Sequence, residues 1–164
     1  MVACDAALRS GTSPAELRTA YAVVSGWPGG TRARAAIELA DGGAENVAES
    51  LLRLLVLELG LGAPQTQFEV VAGGRRALVD LRLRNHLIEF DGKIKYRSAR
   101  DGGVATTSPD EVVWREKQRE DWLRAQGYGM SRVVWRELFG ALREQTKARL
   151  RQDILRSDRI FGAE

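Results

Sequence analysis

The chain has 164 residues, 44% hydrophobic and 29% charged, with a formal charge of +3 at pH 7; it suits one domain with a small appendage and excludes general disorder. One cysteine, Cys4, and one histidine, His86, exclude an intramolecular disulfide, a thiolate metal centre made by this chain alone and a multi-histidine zinc site. No apolar run approaches the roughly 20 residues of a membrane span and no signal-peptide layout opens the chain, so no membrane partner and a reducing, cytoplasmic setting are expected.

Residues 2–9 suit a short helix that stops at Gly11. Ser13-Pro14-Ala15-Glu16 is a capping-box pattern with proline at the first helical position, and predicts a helix to about Val24. Thr31 is expected to cap a second short helix, Arg32 to Ala40. These helices carry no chemical motif. Residues 1–44 therefore read as a helical appendage or linker region, and 45–164 as the principal domain.

Val47 to about Leu59 is apolar nearly all round and predicts a central, buried helix. Its polar exceptions, Glu49 and Arg53, stand four residues apart. Two readings stay open: a helical ion pair of roughly 0.2–0.5 kcal/mol, or a Glu49 carboxylate that reaches into a site. Gln67 to Ala72 reads as a strand and Gly73-Gly74 as a hairpin turn.

The stretch from Arg75 to Arg97 carries the chemistry. Val79, Leu81 and Leu83 alternate with Asp80, Arg82 and Arg84; Ile88, Phe90, Ile94 and Tyr96 alternate with Glu89, Asp91, Lys93 and Lys95. Successive strand side chains point to opposite faces. The pattern predicts an amphipathic hairpin turning at Arg84-Asn85-His86, which brings Asp80 towards Glu89 and Asp91. At such a turn His86 is expected to be an ordinary exposed histidine that can touch phosphate. Arg75, Arg76, Arg82, Arg84, Lys93, Lys95, Arg97 and Arg100 outnumber the three acids there, a local field that attracts polyanions.

Ser98 to Pro109 is polar and glycine-bearing and reads as a loop. Asp110 to about Gln126 predicts a helix with Val113, Leu123 and Trp122 inward, Ser131 to Trp135 a strand, and Arg136 to Arg156 helix. The order gives an α/β sandwich around a small mixed β-sheet flanked by helices.

Carboxylates beside lysines on one strand face are what metal-dependent phosphodiester hydrolysis needs. A metal ion binds a phosphate oxygen, lowers the pKa of a water and offsets transition-state charge. Magnesium accepts two or three carboxylates and keeps waters. Lys93 suits orientation of the water or stabilisation of developing charge. On spacing alone, a solvated strand face is the commoner meaning of such charges.

The blocks Glu49-Ser50-x-x-Arg53, Pro64-x-x-Gln67, Val79-Asp80, Glu89-Phe90-Asp91-Gly92-Lys93-x-Lys95-Tyr96, Glu116-Lys117-x-Arg119-Glu120-Asp121-x-Leu123-Arg124-x-x-Gly127-Tyr128 and Arg132-Val133-Val134-Trp135 occur in that order. Together they resemble the restriction-endonuclease-like PD-(D/E)xK superfamily. Within it they are most similar to the small Vsr-like endonuclease domains of actinobacterial proteins labelled AbiEi-type antitoxins.

The resemblance implies a metal-dependent DNA endonuclease using Mg2+ or Mn2+, in phage defence, toxin–antitoxin or mobile-element context. Asp80 and Glu89 would be the principal metal ligands. Asp91 and Lys93 complete the signature, Glu49 is the helix-borne acid and Gln67 supports it. Glu89 and Asp91 both suit the second acidic position. Arg75, Arg76, Arg82, Arg84, Lys95, Arg97, Lys117 and Arg119 are the implied DNA contacts. Trp114 and Trp135 are expected in the core rather than as base-stacking surfaces. Lys95 stands where relatives often carry histidine, and the mismatch reader and zinc ligands of Vsr have no counterpart. An upstream winged-helix domain or a homodimer would complete the implied partners. The alternative is a non-catalytic nucleic-acid-binding or regulatory, antitoxin-like module on the same fold.

Overall fold

The computed structural model describes residues 1–92 and 109–162. Lys93, Lys95, Arg97 and Arg100, and the loop expected from Ser98, lie outside them. In chain order the elements are α1 (Val2–Arg9), α2 (Pro14–Val24), α3 (Gly30–Glu38), α4 (Val47–Leu57), β1 (Gln65–Ala72), β2 (Arg75–Leu83), β3 (His86–Asp91), α5 (Pro109–Ala125), β4 (Gly129–Val134), a 3-10 turn (Trp135–Leu138) and α6 (Gly140–Phe161).

The four strands form one mixed sheet in the order β1-β2-β3-β4. β1, β2 and β3 run antiparallel through two hairpins, and β4 joins β3 in parallel after the α5 crossover. The first hairpin turns on Gly73 and Gly74, at φ 57° and 74°. Two successive left-handed residues make the turn whose twist matches paired strands, and only glycine takes them without strain.

Both faces of the sheet are covered. On one, Leu52, Leu55 and Val56 of α4 meet Leu81, Leu83, Ile88 and Val133, together with Leu150 and Ile154 of α6. On the other, Leu123 of α5 packs on Val70, Val79, Leu87 and Met130. A mixed α/β fold with helices on both faces is thus the architecture.

Val79 and Leu81 are two residues apart yet serve opposite cores. Regular alternation would put them on one face. The pleat slips between them, opposite Gln67, whose φ is 47°. Asp80 sits at the slip.

Asn46 caps α4, accepting from the N–H groups of Ala48 and Glu49 at 2.9 and 3.1 Å. The N-terminal helices are fastened to this frame. Fully buried Asp5 accepts from Arg53 and from the N–H of Asp41, both at 3.0 Å, and Asp41 takes the Thr66 hydroxyl at 3.1 Å.

Several expectations change. Arg53 pairs with Asp5 of α1, not with Glu49. α3 starts from left-handed Gly29, so Thr31 lies inside it rather than capping it. The second hairpin loop is Arg84-Asn85 alone, because Leu83 pairs with His86. His86 therefore enters β3 and is buried, at 2% exposure. Val113 and Trp114 of α5 face outward. Trp135 is 51% exposed, because β4 stops at Val134 and the chain swings into the 3-10 turn.

Candidate functional site

The β2–β3 ladder holds only from Leu83↔His86 to Leu81↔Ile88. Beyond it the Phe90 N–H donates to the Asp80 carboxylate at 2.7 Å instead of to a backbone carbonyl. The side chain at the pleat slip thus takes over where the strands part. A cleft of about 890 Å³ opens there between the N-terminus of α4, the end of β3 and the β4 exit. It is lined by Glu49, Asp80, Phe90, Asp91, Trp135 and Arg136, among others.

Glu49 stands at the start of α4, 6% exposed. Its carboxylate accepts from the Glu45 N–H at 2.7 Å, the Asn46 side-chain amide at 2.6 Å and Gln67 Nε2 at 3.2 Å. Burial raises its pKa above the ordinary 4.5; the Glu45 N–H and the Asn46 and Gln67 amides pull it back, and the Glu45 charge adds to the rise. Gln67 reaches Glu49 from a left-handed backbone that a non-glycine residue adopts at a cost of about 1 kcal/mol or more. Gln67 thus stands beside Glu49 as a hydrogen-bond donor.

Asp80 and Asp91 arrive from adjacent strands and line the same cleft. Glu89 does not line it. Its carboxylate accepts from Arg119 of α5 at 2.6 Å and lies 3.7 Å from Arg132 of β4, with 14% of its side chain exposed. Arg132 also contacts Glu116 at 2.5 Å and Glu120 at 3.4 Å, so Glu89 belongs to a charge network binding α5 to the sheet. Burial works against the Arg119 charge, but the hydrogen bond and charge of Glu89 outweigh it, with Glu116 and Asp80 adding, and its pKa is raised.

The other basic candidates are engaged away from the cleft. Arg75 lies over the Trp122 ring at 5.0 Å, and Arg82 over Phe68 at 4.7 Å and Tyr128 at 5.6 Å. Arg76 pairs with Glu69 at 2.9 Å and Arg84 with Asp158 at 2.7 Å. Lys117 lines a small hollow on α5 with Glu116, Asp121 and Arg132. Lys93, expected beside Asp91, follows Gly92 and is outside the described residues.

Sequence reasoning missed Glu45, Asn46, Trp135 and Arg136 as cleft residues. Asn46 had a signal, an N-cap residue three positions before a glutamate. Trp135 and Arg136 had none, since their exposure follows from where β4 ends.

Among the described residues, no group of three or more His, Cys, Asp or Glu side chains is set to hold a metal ion. Asp80 and Asp91 are nevertheless hard oxygen donors on one cleft wall. Magnesium or manganese suits such a pair, since one or two carboxylates are enough when waters or phosphate oxygens complete the shell. No family model matches the chain, and neither the search of curated proteins nor that of solved structures returned a match.

Proposed function

We propose that the chain is a metal-dependent DNA endonuclease that hydrolyses phosphodiester bonds at this cleft, in a phage-defence, toxin–antitoxin or mobile-element setting. The observation that carries the reading is the convergence of Asp80 and Asp91, from adjacent strands, on one cleft with buried Glu49. The ordered blocks that resemble the PD-(D/E)xK nucleases support it.

In this reading Asp80 and Asp91 hold Mg2+ or Mn2+, and Glu89 acts as a strut through Arg119. The ion supplies Lewis acidity and a more acidic water. Asp80 also keeps β3 in place through the Phe90 N–H. Glu49 supports the α4 wall, and Lys93 balances charge that develops on the phosphate. Arg136, at the cleft wall, takes up a backbone phosphate without reading sequence.

Incubation with supercoiled plasmid in magnesium or manganese tests the reading. Nicking by the native protein, lost in Asp91→Asn, is the expected result. Absence of cleavage of plasmid and of single-stranded DNA alike in every divalent metal, or equal cleavage by Asp91→Asn, defeats it.

The second reading is a binding or regulatory module that keeps the fold without the chemistry. The engagement of Glu89 by two arginines, which leaves two carboxylates where the signature has three, favours it. Titration calorimetry separates the two, because a binding-only module shows no magnesium heat that depends on Asp80 and Asp91.

A further inference from the structure

Trp135 was expected in the core, yet about half of it, 51%, is exposed, in the wall of the cleft that holds Asp80 and Asp91. Its ring is held rather than loose. Phe90 meets it edge-on at 6.3 Å and 84°, and Phe139 packs at 5.2 Å and 58°. Phe139 is itself exposed and Phe90 belongs to the sheet core. The 3-10 turn Trp135–Leu138 fixes the backbone beneath. The next residue, Arg136, also lines the cleft, is exposed and has no ion-pair partner among the described residues. The arginines nearby differ: Arg119, Arg132, Arg143 and Arg149 are all committed to carboxylates.

A buttressed, half-exposed indole, followed by a guanidinium with no ion-pair partner among the described residues, fits a nucleotide: a base for the ring and a phosphate for the cation. We propose that Trp135 stacks on a nucleobase of single-stranded DNA while Arg136 takes a neighbouring phosphate, next to the phosphodiester at Asp80 and Asp91. This rests on the endonuclease reading and names its substrate class. A base inside a duplex already has neighbours on both faces. Trp135 therefore requires an unpaired nucleotide: a single strand, a flap or a frayed end.

The charge of the cleft points the same way. Among the described residues of the lining, Glu45, Glu49, Asp80 and Asp91 stand against Arg136. A phosphate is tolerated there only with a cation present, so the ring and the guanidinium hold the strand at the edge of the acidic floor.

Fluorescence anisotropy of a labelled single strand of ~12 nucleotides tests this, in calcium and in EDTA, with strand integrity checked by gel. The native protein should bind, and more tightly in calcium. Trp135→Ala should weaken binding about tenfold or more, Trp135→Phe should restore most of it, and Arg136→Gln should weaken it with a salt dependence shallower by about one phosphate contact. A blunt duplex of the same sequence should bind more weakly and ignore Trp135→Ala. Equal binding by Trp135→Ala, with a native melting profile, overturns the proposal. So does failure of the native protein to bind any single strand, or Trp135-dependent binding that is tighter for RNA of the same sequence. Incubation of the same labelled strand with the same preparations in magnesium or manganese separates the two readings. Trp135-dependent binding without cleavage of the strand removes the nuclease alone, and cleavage with Trp135-independent binding removes this inference alone.

Discussion

The Asp80 carboxylate accepts the Phe90 N–H at 2.7 Å, beyond the point where the β2–β3 ladder ends. One side chain thus does two things that can be separated: it satisfies a strand amide and presents charge to the cleft. Asp80→Asn keeps an acceptor oxygen and loses the charge. It should melt within a few degrees of the native protein and lose nicking. Asp80→Ala orphans the Phe90 N–H as well, and should lose about 1 kcal/mol of stability in addition, read as a melting shift of about 2–4 °C. Full nicking by Asp80→Asn would remove Asp80 from the proposed metal site.

A similar separation applies to Gln67. Its amide donates to Glu49 at 3.2 Å from a backbone at φ 47°. Gln67→Ala loses the hydrogen bond and keeps the strain; Gln67→Gly loses the bond and relieves it. In an ordinary strand glycine is the weaker choice by roughly 0.5–1 kcal/mol. Here the order should reverse, with Gln67→Gly about 1 kcal/mol more stable than Gln67→Ala in urea melts.

Glu89 and Asp91 stand in different surroundings, one against Arg119 and one in the cleft wall, and one pair of variants tells their proposed roles apart. Glu89→Gln removes the carboxylate that Arg119 holds at 2.6 Å and leaves a partly buried guanidinium with weaker partners. It should lower stability by about 1–3 kcal/mol while retaining nicking at a temperature well below its own melting. Asp91→Asn should do the opposite, melting normally and not nicking. If Glu89→Gln abolishes nicking with its fold intact, Glu89 returns to the site as a ligand.

Local chemistry made several elements readable. The Ser13-Glu16 capping box forms as its spacing predicts, with the Glu16 N–H donating to Ser13 at 3.2 Å and the Ser13 N–H to Glu16 at 2.7 Å. The Gly73-Gly74 turn and the apolar face of α4 follow from equally local signals. Partner choice at a distance was not readable. Arg53 ignores Glu49 four residues away because α1 brings Asp5 to it, while Asn46 and Gln67 occupy the Glu49 carboxylate. Alternation placed Asp80 and Glu89 on one charged row, but the pleat slip at Asp80 turns the two carboxylates to different partners. Trp135, expected in the core, is exposed because β4 ends at Val134 and the chain turns away there.

His86 gives the clearest pH signature. Its Nδ1 lies 2.7 Å from the Ser157 hydroxyl and its Nε2 2.9 Å from that of Ser131, and Ser131 in turn donates to Asp153 at 2.8 Å. Since Ser131 gives its proton to Asp153, it receives one from Nε2; Nδ1 of the neutral ring is then an acceptor and shares the Ser157 hydroxyl proton with the Asp153 carbonyl, 3.1 Å from that hydroxyl. The ring fits because residue 129 is glycine: a Cβ there would run into Ser157 and His86. Burial pushes the pKa down from 6.5 to about 4; Asp153 and Asp158 oppose this, and Arg124 and Arg149 add to it. The folded state therefore holds a neutral ring where the unfolded chain binds a proton. Stability contributed by His86 is complete above pH 6.5, falls as the pH drops from 6.5 towards 4, and changes no further below that. The loss across this window is on the order of 3 kcal/mol. His86→Gln lacks the titration, so urea melts should show its deficit relative to the native protein shrinking as the pH is lowered from 7 to 4. A deficit that stays constant over that range would mean that His86 titrates in the fold as it does in the open chain.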